Sequence, residues 1–331
     1  MTSADAAQST GDRPLAAPRP WIVYGAMALH VTCAAGTYVF GKPAAAGFAD
    51  AGALTLARSV LASVLCLALT GWAIPAPRFT RRQWIEIAGL GLLLVPLNQY
   101  LFLYGLRLTV PSHAALIYAM TPAGVMVLTA AIERRRPPVA WMVGVPLALA
   151  GVALVLEPWN EDAALRDVRR GDLAIAAGLV IWVVYTGWVK RLARNTDPRT
   201  VTVWTLVLGT LFLAPFAAGA LAATDFGALE PRVWGGLLWL AAVTSTLMML
   251  LWNGMLKRLE PVQVSICANA QPAATAALAA LLSAVGYLHG EQHLGLTYWA
   301  GTSLVVAGVV MVQWRRPHPA AAAETHDPGR S

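Results

Sequence analysis

An all-α integral membrane protein of about ten transmembrane helices, built as two five-helix repeats of inverted topology, is the fold class this sequence predicts. Three observations predict it. Of the 331 residues, 57% are hydrophobic and only 12% are charged, half the roughly 25% charge usual in soluble domains. The apolar residues fall in blocks of about twenty, the length of helix that crosses a hydrocarbon core of about 30 Å. Finally, segments of the first half of the chain recur, in order, in the second.

Taken in order, the apolar blocks place helices near 21–42, 51–73, 84–106, 110–132, 139–157, 172–190, 201–223, 233–254, 262–286 and 293–314. The fifth block is short, and Pro272 interrupts the ninth. Residues 1–20 are polar, contain three prolines and have no apolar core, so they read as a disordered cytoplasmic tail and not as a span or signal peptide. Residues 315–331 have the same low-complexity character and read as a second disordered tail. Between the fifth and sixth blocks, 158–171 reads as a connecting loop. The two repeats are thus expected over 21–157 and 172–314.

The net charge of +7 does not point to nucleic acid, because the basic residues sit between apolar blocks and not along one exposed face. Topology explains them. With the N-terminus inside, one side collects Arg78, Arg81, Arg82, Arg134, Arg135, Arg136, Lys190, Arg191, Arg194, Arg199, Lys257 and Arg258, besides the basic residues of both tails. The other side holds only Lys42, Arg107, Arg166, Arg169, Arg170 and Arg232. The positive-inside rule therefore favours an even number of spans with both termini in the cytoplasm, in the cell membrane. Cys33, Cys66 and Cys267 all fall inside spans as packing residues, with no disulfide or metal spacing.

The repeat is explicit. Segment 141–155 aligns with 298–312 at an offset of 157, so that Gly144, Leu147, Ala150, Gly151, Val152 and Val155 recur as Gly301, Leu304, Ala307, Gly308, Val309 and Val312. At an offset of 150, Leu101, Leu106, Arg107, Pro111, Pro122 and Ala123 pair with Leu251, Leu256, Lys257, Pro261, Pro272 and Ala273. The offsets differ by seven, so the second copy needs a longer fourth helix or following connection. Five helices is an odd number, and the second copy must then cross the membrane in the opposite sense.

Short patterns recur at matched places: GTYVFGK at 36–42, Arg58, SHAALIYAMTP at 112–122, Glu133 and AGV at 150–152 in the first copy, and YTGWVK at 185–190, SICANAQP at 265–272, GE at 290–291 and AGV at 307–309 in the second. At these residues the chain resembles the EamA-domain branch of the drug/metabolite transporter superfamily. No counterpart of Arg58 is visible in 201–223. The resemblance implies a ten-helix fold with a central cavity between the halves, used to move small molecules such as amino-acid-like or drug-like metabolites, most often outward. Import or exchange of a nucleotide sugar or organic phosphate, or a non-transporting sensor or enzyme, are the alternative readings.

Candidate functional residues are the polar and kinking side chains at membrane depth. Arg58, about two turns into its span, either meets substrate or snorkels and pairs with backbone as structural glue. Lys42 is expected at an interface. Asn98, Gln99, Tyr100, Asn269 and Gln271 must face one another or a polar cavity. Residues 269 and 271 point about 200° apart on a helix, so one of the two faces a cavity. Tyr38, Tyr118, Tyr185 and Trp188, with Tyr104, Trp182 and Trp252, either line a pocket or pack. Pro122 and Pro272 each remove a backbone hydrogen bond mid-span and suit a paired gate or a tolerated kink. His30 and His113 could carry a coupling proton.

No P-loop, HExxH or GxSxG motif is present, so no catalytic residue, metal or cofactor is expected, nor ATP-driven transport by this chain alone. The expected partners are a small-molecule substrate, the bilayer and a coupling proton, with self-association left open.

Overall fold

Prolines and side-chain caps mark where the helices begin. Residues 20–69, 79–134, 138–156, 163–193, 196–287 and 295–313 are described by a computed structural model. They form ten helices and no strand: α1 (Pro20–Gly47), α2 (Ala51–Leu69), α3 (Arg81–Leu108), α4 (Pro111–Glu133), α5 (Val139–Leu156), α6 (Ala163–Ala193), α7 (Pro198–Ala222), α8 (Pro231–Arg258), α9 (Pro261–Ala284) and α10 (Leu296–Gln313). Pro111, Pro198, Pro231 and Pro261 each open a helix, where the missing N–H would have had no intrahelical partner. Thr80 and Gln83 close a reciprocal capping box before α3, and the Asp197 carboxylate accepts from the Thr200 N–H at 3.3 Å before α7. The tails at 1–19 and 315–331 and the Gly290–Glu291 pair lie outside the described residues.

Seven of these helices, α2, α3, α4, α6, α7, α8 and α9, are long and apolar enough to cross a membrane, and α5 and α10 contain shorter apolar helices over Val139–Val155 and Leu296–Val312. The surface is what lipid requires. Phe216 on α7 is 86% exposed, and Leu211, Val180 and Leu281 also face outward, while Thr55, Ser59, Thr205, Ser245, Asn253 and Thr275 are buried.

One boundary differs from the sequence expectation. Helix α6 begins at Ala163, so most of the loop expected over 158–171 is helical. The stretch AALRDVRRGD contains good helix formers, and Arg170 pairs with Asp167 at 3.3 Å one turn back, so the helix runs on beyond the apolar block. Hydropathy ends a span where charge begins; hydrogen bonding does not.

The inverted repeat is visible in the glycine crossings of α5 and α10. A Cβ on Gly151 would lie 2.5 Å from the Gly301 carbonyl oxygen, and one on Gly144 would lie 2.6 Å from that of Gly308. Advancing along α5 means retreating along α10, so the two helices are antiparallel. Moreover, Gly144 and Gly151 are the repeat partners of Gly301 and Gly308, and each touches the partner of the other, as a pseudo-two-fold axis demands. In a membrane, where apolar side chains gain nothing by leaving lipid, such close backbone approach is itself the adhesive.

Two further features obey the same symmetry. The Lys42 ammonium on α1 donates to the carbonyls of Leu106, Arg107 and Thr109 at 3.0, 2.9 and 2.6 Å, at the end of α3. The Lys190 ammonium on α6 donates to those of Leu256 and Leu259 at 3.0 and 2.8 Å, at the end of α8. Each lysine thus satisfies carbonyls that a helix C-terminus leaves without partners. The interface expected for Lys42 is a helix end.

The third and fourth helices of each half are irregular at matched places. Residues Leu93–Gln99 of α3 and Trp239–Met248 of α8 are π-helical. Pro96 lies inside the first, where it removes the i→i−4 bond. In the second, Thr246 Oγ1 donates to the Ala241 carbonyl at 2.9 Å, satisfying one carbonyl of the widened turn. Helix α4 is broken at Ala119–Met120, before Thr121 and Pro122, and α9 tightens to a 3₁₀ turn over Ile266–Ala270, before Gln271 and Pro272. Of the seven extra residues in the second copy, α9 takes one, at 24 residues against 23 for α4. The rest fall between Ala284 and Leu296.

Candidate functional site

The irregular turns of α3, α4, α8 and α9 converge on a cavity of about 100 Å³. Seven helices line it: α1, α2, α3 and α4 from the first half, and α6, α8 and α9 from the second. Its walls are largely aromatic and thioether, with Phe102, Tyr118, Trp182, Met248, Met249 and Trp252. Several of its polar side chains enter where the helix geometry is disturbed. Asn98 and Gln99 come from the π-helical end of α3, Thr121 from the break in α4, and Gln271 from the residue before Pro272.

Hydrogen bonds run both between and within the halves around this space. The Tyr38 hydroxyl donates to Gln271 Oε1 at 2.9 Å, and the hydroxyls of Thr37 and Thr244 lie 2.7 Å apart. Asn98 Nδ2 donates to the Tyr118 hydroxyl at 2.9 Å and to the Gly178 carbonyl at 2.8 Å. Ser59 donates to Gln99 Oε1 at 3.2 Å. Arg58, 2% exposed, donates from Nε and Nη2 to the Ser245 hydroxyl on α8 at 3.1 and 2.8 Å. Its Nη1 has no partner among the described residues.

Of the residues singled out in the sequence, the fold brings Tyr38, Arg58, Asn98, Gln99, Tyr118, Gln271, His30, Trp182 and Trp252 onto the cavity. Gln271 lines it and Asn269 does not. Tyr185 is fully buried one layer behind, stacked on Trp182 at 5.4 Å and receiving a hydrogen bond from Asn253 at 3.3 Å. Trp188 lies over Gly89, where α6 crosses α3. Tyr104 is 38% exposed and stacks on Tyr100 away from the cavity. Pro122 and Pro272 stand immediately after the two helix irregularities.

The two histidines differ. His30 is buried, its ring 5.2 Å from that of Trp252, and its Nδ1 has no partner among the described residues. His113 lies away from the cavity, with Nδ1 3.0 Å from the Asp172 carboxylate, which is itself fully buried and also accepts from the Thr109 hydroxyl. Sequence reading missed Asp172 as the partner of His113, and Ser245 as the anchor of Arg58. The first could have been found from the rarity of an acid at the edge of an apolar block; a serine among small residues carries no such signal. Among the described residues, no three His, Cys, Asp or Glu side chains gather as a metal site would require.

Two inverted five-helix halves that meet around a shared cavity define a membrane protein of the transporter class. Comparison with known proteins places it more closely. The profile of the EamA-like transporter family matches twice, over residues 21–157 and 169–314. The chain belongs to that family, in the drug/metabolite transporter superfamily. It is 28% identical over 176 residues, 53% of its length, to the uncharacterized transporter YyaM of Bacillus subtilis, of which the match spans 58%. It is 26% identical over 255 residues to an uncharacterized transporter of Archaeoglobus fulgidus, covering 76% of this chain and 86% of that one. A solved crystal structure shares the fold with a TM-score of 0.58 at 18% identity, covering 87% of this chain and 98% of its own.

Proposed function

We propose that this protein is a secondary transporter that exports a small metabolite by alternating access, its two five-helix halves rearranging around the shared cavity. The observation that carries this reading is the position of the cavity, bounded by both halves and by the paired irregular turns of α3 and α8 and of α4 and α9. Only a few hydrogen bonds between side chains hold the halves together there, and in membranes each contributes on the order of 0.6 kcal/mol. Exchanging them for an alternative set costs little. Pro122 and Pro272 would serve as the pivots, since each lies where its helix has already given up regular hydrogen bonding.

In this reading both termini face the cytoplasm of the cell membrane, and the repeats run over 21–157 and 172–314. A coupling proton, if transport uses one, is best placed on His113, whose ring is held by a buried carboxylate. Replacing His113 by Gln should then leave transport insensitive to an imposed proton gradient in reconstituted vesicles; wild-type transport that persists unchanged when the gradient is collapsed would remove the coupling.

Alternating access predicts two-sided exposure of one position. With Cys33, Cys66 and Cys267 replaced by Ala, a Thr244→Cys variant should react with a membrane-impermeant thiol reagent from either face of the membrane, and substrate should shift the balance. Labelling from one face only, under all conditions, contradicts the mechanism. Tyr118→Ala and Gln271→Ala should each lower transport by at least about tenfold, the loss that goes with about 1.4 kcal/mol of binding.

A further inference from the structure

Among the described residues, the cavity contains a cation with no anion: Arg58 is the only lining side chain with a fixed charge, and no Asp or Glu lines it. One edge of its guanidinium is held by Ser245 from the opposite half, while Nη1 is buried and donates to nothing among the described residues, and the residue lines the cavity. An arginine buried only as structural glue would place its donors on carbonyls, as Lys42 and Lys190 do in this same fold. Instead Arg58 is oriented by one edge and left without a partner at Nη1 among the described residues, and a guanidinium cannot shed its charge to relieve burial. The Nε1 of Trp252, another lining residue, is also a buried donor without a partner among the described residues.

From this we infer that the cargo carries one carboxylate, which takes up the unpartnered Nη1 of Arg58, on a compact, uncharged and largely apolar body. The inference rests on the transport reading of the same cavity and narrows its substrate class. A carboxylate fits better than a phosphate dianion because only Nη1 of the guanidinium is unpartnered and, among the described residues, no second fixed cation lines the site to share the larger charge. The body is constrained by the walls: Phe102, Trp182, Met248, Met249 and Trp252 offer ring faces and thioethers, suited to an apolar group. An ammonium would find no carboxylate and would meet a like charge, so cationic drugs are excluded, and zwitterionic amino acids are disfavoured against the corresponding acids. The cavity of about 100 Å³ is below the range of drug-sized pockets, consistent with a small acid.

The test uses probes that share one ring and differ in charge: phenylacetate, phenylacetamide, phenethylamine, phenylalanine and phenyl phosphate, each titrated against the purified full-length protein while its melting temperature is followed. Phenylacetate should stabilise the protein with an apparent affinity at least about tenfold above that of the amide and the other probes, the preference expected of one charge-assisted hydrogen bond. In Arg58→Gln the acid-over-amide preference should vanish, and in Arg58→Lys it should be reduced but retained. The wild-type acid-to-amide ratio stands as a test even if the variants do not fold. Stabilisation by the amine or the zwitterion equal to that by the acid, a preference for phenyl phosphate, or no response to phenylacetate overturns the inference. Counterflow of labelled phenylacetate in vesicles separates the two readings. Binding lost in Arg58→Gln without any wild-type transport would overturn transport and leave the carboxylate site standing; transport indifferent to Arg58→Gln would do the reverse.

Discussion

Replacing Gly151 by alanine is expected to destabilise the protein by about 2 kcal/mol, although Gly→Ala in a helix ordinarily stabilises by about 1 kcal/mol. The added Cβ would lie 2.5 Å from the Gly301 carbonyl oxygen, 2.7 Å from the Val305 nitrogen and 2.9 Å from the Leu304 Cβ. Two of these are backbone atoms that no rotamer change can move aside, so α5 and α10 must separate. Separation forfeits dispersion along the whole crossing, which is the main attraction between helices in lipid. Gly219 on α7 is the control, since a Cβ there would meet nothing within 4 Å, and Gly219→Ala should be neutral or slightly stabilising. Melting temperatures in detergent give the comparison. A Gly151→Ala protein as stable as the Gly219→Ala protein would show that the α5–α10 contact does not hold the halves together.

The second large effect is expected at Lys42. Changing it to Met keeps the aliphatic stem and removes the ammonium that closes the end of α3, leaving the carbonyls of Leu106, Arg107 and Thr109 without its three hydrogen bonds. Hydrogen bonds to a charged group contribute about 1.5–3 kcal/mol, so a loss of about 2–3 kcal/mol is expected. Lys190→Met should lose somewhat less, because two carbonyls are involved and the Lys190 ammonium also lies 3.4 Å from a largely exposed Glu260 carboxylate. The two losses should add, since the lysines serve separate helix ends and share no partner. Lys42→Arg should not restore stability, because a planar fork does not reproduce three divergent donors. If Lys42→Met instead melted like the wild type but failed to transport, the lysine would be acting on cargo and not on the helix end.

These two features also show how the molecule divides its tasks. The glycine crossing of α5 and α10 and the lysine-closed ends of α3 and α8 are repeated in both halves and support the frame. Arg58 is not repeated. At the offset that relates Lys42 to Lys190, its position in α7 is Leu206, which is fully buried and apolar. The frame is symmetric, whereas the charge inside the cavity comes from one half alone. In the proposed mechanism a symmetric scaffold would allow two equivalent openings, and an asymmetric lining would let a single cargo be held in one orientation between them.

Much of this was legible in the chain itself. Blocks of about twenty apolar residues determined membrane-spanning helices, because backbone polar groups in lipid can only be satisfied within a helix or a closed barrel. The colinear matches from Gly144 to Val155 and from Leu101 to Ala123 determined the duplication, and an odd helix count per copy determined its inversion. The depth of Arg58 marked it as unusual.

What the chain could not decide was which neighbour each polar side chain would meet. A helix surrounded by lipid and other apolar helices carries little amphipathic signal, so periodicity does not say which face turns inward. Only the packing of α9 against α1 put Gln271 on Tyr38 and turned Asn269 aside, and only the placement of α6 set Tyr185 behind Trp182 and Trp188 over Gly89. The partner of Arg58 lies 187 positions away, on a π-helical turn of the opposite half. Sequence spacing determines which residues share a helix face; the cavity is made where faces of seven helices meet, and that is a property of the tertiary structure alone.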